Sequence, residues 1–210
     1  MPGIILERCC INALQVIEAV EGGAARVELC KNLSVGGVTP DETEIVDAVA
    51  TGLPVNVLIR PRGGDFVYSE SEILEMEKSI IFCTEAGVSG VVIGALDISG
   101  NVDMDAMRFL MSASGGMSVT FHRAFDECRD PFRSLEDIIS LKCDRILTSG
   151  QSATAFEGAS LIAELIRKAK GRIIIMPGAG ISPENVDFLA HKTGAVEFHG
   201  TRLGVKQTDC

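Results

Sequence analysis

The sequence has no Trp, a single Tyr and only 5% aromatic residues, so a core built on large rings is excluded. It also lacks basic character. Nineteen Lys and Arg stand against 29 Asp and Glu, a net charge of −10. A protein that grips a phosphate backbone needs a basic face, and one held on acidic lipid needs the same. Neither nucleic acid nor membrane is therefore expected as a partner. Long apolar runs are missing too. The longest stretch free of charged and histidine side chains, Phe109 to Phe121, has 13 residues, three of them serine and two glycine. A spanning helix needs about 20 apolar residues. The N-terminus meets Glu7-Arg8 before any signal-like apolar segment forms, which points to the cytoplasm. The seven cysteines, at 9, 10, 30, 83, 128, 143 and 210, contain no Cys-x-x-Cys pair, so reduced thiols in a reducing compartment are expected.

What is present is aliphatic. Hydrophobic residues make up 46% of the chain, enough for a large core. The length of 210 residues suits one domain, 1–210. Short β-branched runs alternate with amphipathic stretches. Strands are expected at 4–10, 26–30, 55–60, 90–94, 118–123, 145–149, 172–176 and 195–200. Helices are expected at 13–20, 40–50, 70–86, 104–113, 131–141, 155–169 and 183–191. The punctuation agrees: Ser69 precedes Glu70 and Glu72, and Asp130-Pro131 and Ser182-Pro183 put a capping residue before a proline. Alternating strand and helix gives a parallel sheet, and eight strands favour a closed TIM-type (β/α)8 barrel, an α/β fold without sheet edges. A doubly wound sheet is the alternative. Such barrels usually take about 250 residues. Only Thr201–Cys210 follow the eighth strand, so the eighth helix is expected to be short or absent. An exposed apolar stripe between the eighth and first strands is then expected, covered in a homo-oligomer.

Ligands of such barrels sit at the carboxyl ends of the strands. Polar residues gather there. Glu7-x-Cys9 and Glu28-x-Cys30 end the first two strands, and Arg60 and Arg62 the third. His122 ends the fifth, Ser149-Gly150 the sixth, Gly178-Ala179-Gly180 the seventh and His199-Gly200 the eighth. Inward charges cost free energy unless paired, so they imply a polar network or a ligand. Arg60 and Arg62 can hold an anion bidentately, or pair with Glu28 or Glu7. His122 with Glu7 or Glu28 can form an acid–base couple. Gly178 and Gly180 resemble the phosphate cradle of many barrels, and Ser149, Gly150, His199 and Gly200 complete an anion site. Met104, Met107 and Met111 share a helical face that reads as core. His191 suits a helix C-terminus and Arg123 a fold-back onto Asp126.

Longer strings carry a family resemblance. Glu28-Leu29-Cys30, Ile59-Arg60-Pro61-Arg62-Gly63-Gly64-Asp65-Phe66 and Thr120-Phe121-His122-Arg123-Ala124-Phe125-Asp126 resemble the CutC copper homeostasis family. So do Arg145-Ile146-Leu147-Thr148-Ser149-Gly150, Ile175-Met176-Pro177-Gly178 and Glu197-Phe198-His199-Gly200, in order along nearly the whole chain. The resemblance implies a TIM-type barrel, a cytoplasmic location and a part in copper handling. It also implies copper(I) as the bound ion, with Cys9 and Cys30 as its ligands. Parallel strands lie about 4.8 Å apart, so two such thiols on adjacent strands can meet one ion. The alternative is a metal-independent enzyme of isomerase or lyase type acting on a small anionic substrate.

Overall fold

A computed structural model describes residues 3–203. Eight strands alternate with seven α-helices among these residues. The strands are β1 (Ile5–Cys10), β2 (Arg26–Leu29), β3 (Val55–Leu58), β4 (Gly90–Ile93), β5 (Ser118–Phe121), β6 (Arg145–Thr148), β7 (Ile174–Pro177) and β8 (Glu197–Gly200). The helices are α1 (Ala13–Glu21), α2 (Glu42–Val49), α3 (Glu70–Glu85), α4 (Met104–Ala113), α5 (Pro131–Ser140), α6 (Ala159–Ala169) and α7 (Val186–Thr193). All ladders are parallel, in the order β7-β6-β5-β4-β3-β2-β1-β8. β7 and β8 lie side by side and bring the sheet round into a nearly closed barrel, but no ladder joins them. The TIM-type architecture expected from the alternation is the one observed. Residues 204–210, where an eighth helix would fall, lie outside the described residues.

Local chemistry sets the helix starts. Ser69 and Glu72 form a reciprocal capping box at the start of α3. Asp130 accepts from the N–H groups of Phe132 and Arg133 and caps α5 with Pro131 in its first turn. Two helices begin three or more residues later than their sequence patterns. Residues Thr154 and Glu157 spend their side chains on a turn, Thr154 N–H to Glu157 Oε2 and Glu157 N–H to Thr154 Oγ1, and α6 starts only at Ala159. Likewise Ser182 donates its N–H to Asn185 Oδ1, and α7 starts at Val186 rather than Pro183.

The two faces of the sheet differ in kind. Outward residues such as Cys10, Val27, Leu29, Val57, Val91, Phe121, Ile146 and Phe198 join the helices in one apolar core. Met107 is fully buried there, with Met104 and Met111 against it, as the helical spacing predicts. The inward face is ionic over its lower half. Arg26 donates Nε to Glu7 Oε2 at 2.5 Å and Nη2 to Glu197 Oε2 at 2.6 Å. Arg145 reaches the same Glu197 oxygen at 2.7 Å and the Ser118 hydroxyl at 2.7 Å. Asn56 gives its amide N–H to Glu7 Oε2 at 2.9 Å. Six strands, β1, β2, β3, β5, β6 and β8, are thereby tied through the middle of the barrel by side chains that have given up water for each other.

Between β8 and β1 the outward side chains Arg8, Cys10 and Phe198 are buried, whereas Val196 just before β8 and Ile5 at the start of β1 are exposed. Further exposed apolar side chains lie one sector on, at Leu14, Ile17 and Val20 of α1 and Val46 of α2.

Candidate functional site

Above the ionic layer, at the carboxyl ends of the strands, a cavity of about 360 Å³ opens. Its β1, β2 and β8 side carries Cys9, Cys30, Glu28 and His199; its β3 and β5 side carries Leu58, Arg60, Phe66 and His122. Gly180, Ile181 and Ser182 after β7, with Gly200 at the end of β8 and Thr201 and Arg202 after it, line the remaining wall.

The thiol side is compact. Cys9 Sγ and Cys30 Sγ are 3.5 Å apart. Ligand atoms of Cys9, Glu28 and His199 all lie within 4.8 Å of one another, and all three residues are buried. Pairing β1 with β8 puts Glu7 opposite His199, and Glu7 Oε1 meets His199 Nδ1 at 2.9 Å. Burial pushes the Glu7 carboxyl upward, but the bond and charge of His199, together with Arg26, outweigh it and bring it down to about 2. For His199 burial opposes charge, yet Glu28, Cys9 and Glu7 around the ring lift it well above the ordinary histidine value. Glu28 is raised by burial to about 7, and its Oε2 has no hydrogen-bond partner. The hydrogen bond with Cys30, followed by burial, raises the Cys9 thiol, which keeps its proton. A cation held here would have to displace protons from thiol and imidazole; the Glu7 carboxylate fixes the imidazole from behind.

The opposite side is held differently. His122 is 4% exposed and its Nδ1 accepts the Ala124 N–H at 3.1 Å. Burial first, and the Arg60 charge second, push it down to about 3, so the ring is neutral. Gly94 gives it room, since a Cβ there would fall 2.6 Å from His122 Nδ1. Arg60 stacks over Phe66 at 4.6 Å and braces three loop carbonyls, those of Val35, Gly37 and Gly64.

Several expectations change in this light. Arg62 is not in the cavity: it pairs with Glu72 and Asp65 and stacks on Tyr68, outside the barrel mouth. Arg60 lines the cavity, but its Nη groups are taken by carbonyls, so it offers no bidentate fork. Neither arginine pairs with Glu7 or Glu28; Arg26 holds Glu7 instead. Glu7 is wholly buried, with both oxygens engaged, and acts on His199 rather than on a ligand. Burial and the Arg60 charge keep the His122 ring neutral. Ser149 is fully buried, its hydroxyl donating to Ser152 O and accepting from Arg123. The Gly150 N–H goes to Thr148 Oγ1 and the Gly178 N–H to Thr148 O, whereas Gly180, His199 and Gly200 do reach the cavity. Arg123 does fold back onto Asp126, at 2.8 Å.

Sequence reasoning missed Arg26, Asn56, Arg145 and Glu197. They stand on the amino-terminal halves of their strands, below the ends where ligand residues were sought. The signal was present as a period of two: Arg26, Glu28 and Cys30 alternate along one face, as do Glu197 and His199.

Comparison with known proteins places these features in a group. A family model described as CutC family matches residues 4–204. A CutC family protein of Parabacteroides distasonis is 51% identical over 197 residues, covering 93% of this chain and 81% of that one. One from Xylella fastidiosa is 49% identical over 201 residues, covering 95% and 75%. Among solved structures, one provisionally assigned as copper homeostasis protein CutC from Streptococcus agalactiae superposes with a TM-score of 0.92 at 36% identity, covering 95% of this chain and 99% of that one. An aldolase, QR15, superposes with a TM-score of 0.72 at 13% identity, covering 94% and 91%, a likeness of fold alone.

Proposed function

The chain belongs to the CutC family, and on that footing we propose that it serves copper homeostasis by holding Cu(I) at the thiol side of the cavity, in the cytoplasm. The observation that carries this reading is the 3.5 Å approach of Cys9 Sγ and Cys30 Sγ, with an imidazole and a carboxylate oxygen close to Cys9. Cu(I) is soft and favours thiolate, and imidazole is an acceptable third ligand. The donor set therefore fits the ion: Cys9 and Cys30 would hold it, with His199 beside them. Glu28 supplies negative charge next to the site. Cys9 is protonated at neutral pH, so uptake of the ion is coupled to proton release and tightens as pH rises. The six described cysteines are free thiols, which suits a reducing compartment.

Titration of the metal-free protein with Cu(I) against a competing chelator tests the reading. One equivalent should bind, and the double variant Cys9→Ser, Cys30→Ser should lose it while keeping its fold. Stoichiometric binding that survives the double change overturns the two-thiol site.

A further inference from the structure

Three carboxylates are buried among the described residues, and two of them are fully engaged. Glu7 meets Arg26, Asn56 and His199, and Glu197 meets Arg26 and Arg145. Glu28 is the exception. It is 5% exposed and lines the cavity, and its buried Oε2 has no hydrogen-bond partner. Among the described residues no Arg or Lys comes within ion-pair distance of it. A buried carboxylate is normally paired, so this one marks a place for a cation.

Strand register sets its neighbours. Cys9 lies opposite Glu28 in the β1–β2 ladder, and Glu7 lies opposite His199 in the β1–β8 ladder. One ligand atom each from Cys9, Glu28 and His199 lies within 4.8 Å of the other two. An ion with bonds of about 2.0–2.3 Å reaches all three after side-chain shifts of less than about 1 Å. The bond to Glu7 occupies His199 Nδ1, so Nε2 is the nitrogen left for an ion. A carboxylate behind a ligating imidazole is the usual arrangement at zinc. All three residues line the cavity, which gives a fourth ligand room to approach.

We propose that Cys9, Glu28 and His199 form a site for a divalent cation of the zinc class, its fourth position open to water or a small oxygen ligand from the cavity. Charge decides the class of ion. A Cys9 thiolate and a Glu28 carboxylate, with a neutral imidazole, balance two positive charges; around a monovalent ion they leave one buried negative charge uncompensated. The mixed sulfur, oxygen and nitrogen set suits zinc, whereas Cu(I) favours the two thiols and Ca²⁺ or Mg²⁺ an all-oxygen set. The inference goes beyond the copper reading. It uses Glu28 as a ligand and does not use Cys30, which is not one of the three clustered residues. The two ions would compete for Cys9 and His199.

The test titrates metal-free protein with Zn²⁺ against a chromophoric chelator and, separately, with Co²⁺ as a spectroscopic substitute. One equivalent of Zn²⁺ should bind. Co²⁺ should give the intense visible bands of four-coordination together with a thiolate charge-transfer band. Glu28→Gln should weaken Zn²⁺ by more than the roughly 10- to 100-fold that follows loss of an outer-shell partner. Cys30→Ser should leave Zn²⁺ affinity unchanged while weakening Cu(I), and Zn²⁺ uptake without any Cu(I) binding would sink the copper reading alone. Four results overturn the divalent site: no stoichiometric Zn²⁺ uptake at micromolar concentration, a weak six-coordinate Co²⁺ spectrum without the thiolate band, undiminished Zn²⁺ affinity in Glu28→Gln, or an equal loss in Cys30→Ser. Should Glu28→Gln fail to fold, the Co²⁺ spectrum of the parent still decides.

Discussion

Glu7 and His199 face each other across the β1–β8 pair, carboxylate Oε1 to imidazole Nδ1 at 2.9 Å, and through this bond the ionic layer of the barrel reaches its cavity. Glu7 is fully buried and serves three partners at once: Arg26, Asn56 and His199. Replacing it by Gln keeps the volume but deletes the charge. Glu7→Gln should cost about 3 kcal/mol or more in urea unfolding, because Arg26 and His199 then lose a buried counter-charge. Cu(I) affinity should also drop roughly 10- to 100-fold, as when a metal-bound imidazole loses its orienting carboxylate. A variant within experimental error of the parent in both measurements would show that the bond neither supports the fold nor orients the ring.

Arg62 provides the contrasting case. Its side chain is partly exposed and bound to Glu72 and Asp65 on the outer surface. Arg62→Ala should lower stability by no more than about 1 kcal/mol, the usual worth of surface pairs. Binding of Cu(I) should not change. A tenfold loss of that affinity would place Arg62 in the site after all.

The pH dependence of stability has a defined contribution from His122. Folding lowers its value from 6.5 to about 3. Between these limits the unfolded chain takes up a proton that the folded chain refuses, so this group makes stability fall as pH falls. Asn at this position does not titrate. The stability of the parent relative to His122→Asn should therefore decline from pH 6.5 toward 3, by at most about 1.4 kcal/mol per pH unit. Parallel stability curves over that interval would mean that the folded imidazole protonates normally.

Asp126 joins the loop after β5 to the loop after β6. Its Oδ1 accepts from the Thr148 hydroxyl at 2.5 Å, from Ser149 N at 3.0 Å and from Gln151 N at 3.2 Å, while Oδ2 meets Arg123 Nε at 2.8 Å. Asp126→Ala strands several buried donors and should cost about 3 kcal/mol. Hydrogen exchange at Ser149 and Gln151 should accelerate in the same variant. Unaltered protection at both amides would refute the bracing role.

The sequence was most readable where one residue type governs one local event. Ser69, Asp130 and the β-branched strand cores lie where their chemistry directs them. Reading failed where two demands competed, as at Thr154 and Ser182, whose side chains or N–H groups close turns before the helix can begin. The site was half legible. Cys9, Glu28, Cys30, His122 and His199 come together as their strand positions indicate. The partners could not be read in the same way. Whether Glu7 meets Arg26 or Arg60 depends on how far neighbouring strands are staggered when the sheet closes, and stagger is a property of the barrel as a whole. Arg62 shows the limit most sharply: two residues from Arg60 on the chain, it leaves the strand after Leu58 and turns outward.

The missing ladder between β7 and β8 gives the barrel a direction of weakness. Every other strand boundary is closed by backbone hydrogen bonds; this one depends on side chains crossing the interior, with Arg26 and Arg145 both fastened to Glu197 at the base of β8. A tube slit along one line loses much of its resistance to twisting. Thermal motion should accordingly concentrate there, with the walls beside the slit sliding past one another while the other six strands keep step. Gly180 follows β7 and His199 lies on β8, and both line the cavity, so any widening of that slit should widen the cavity without unfolding a helix.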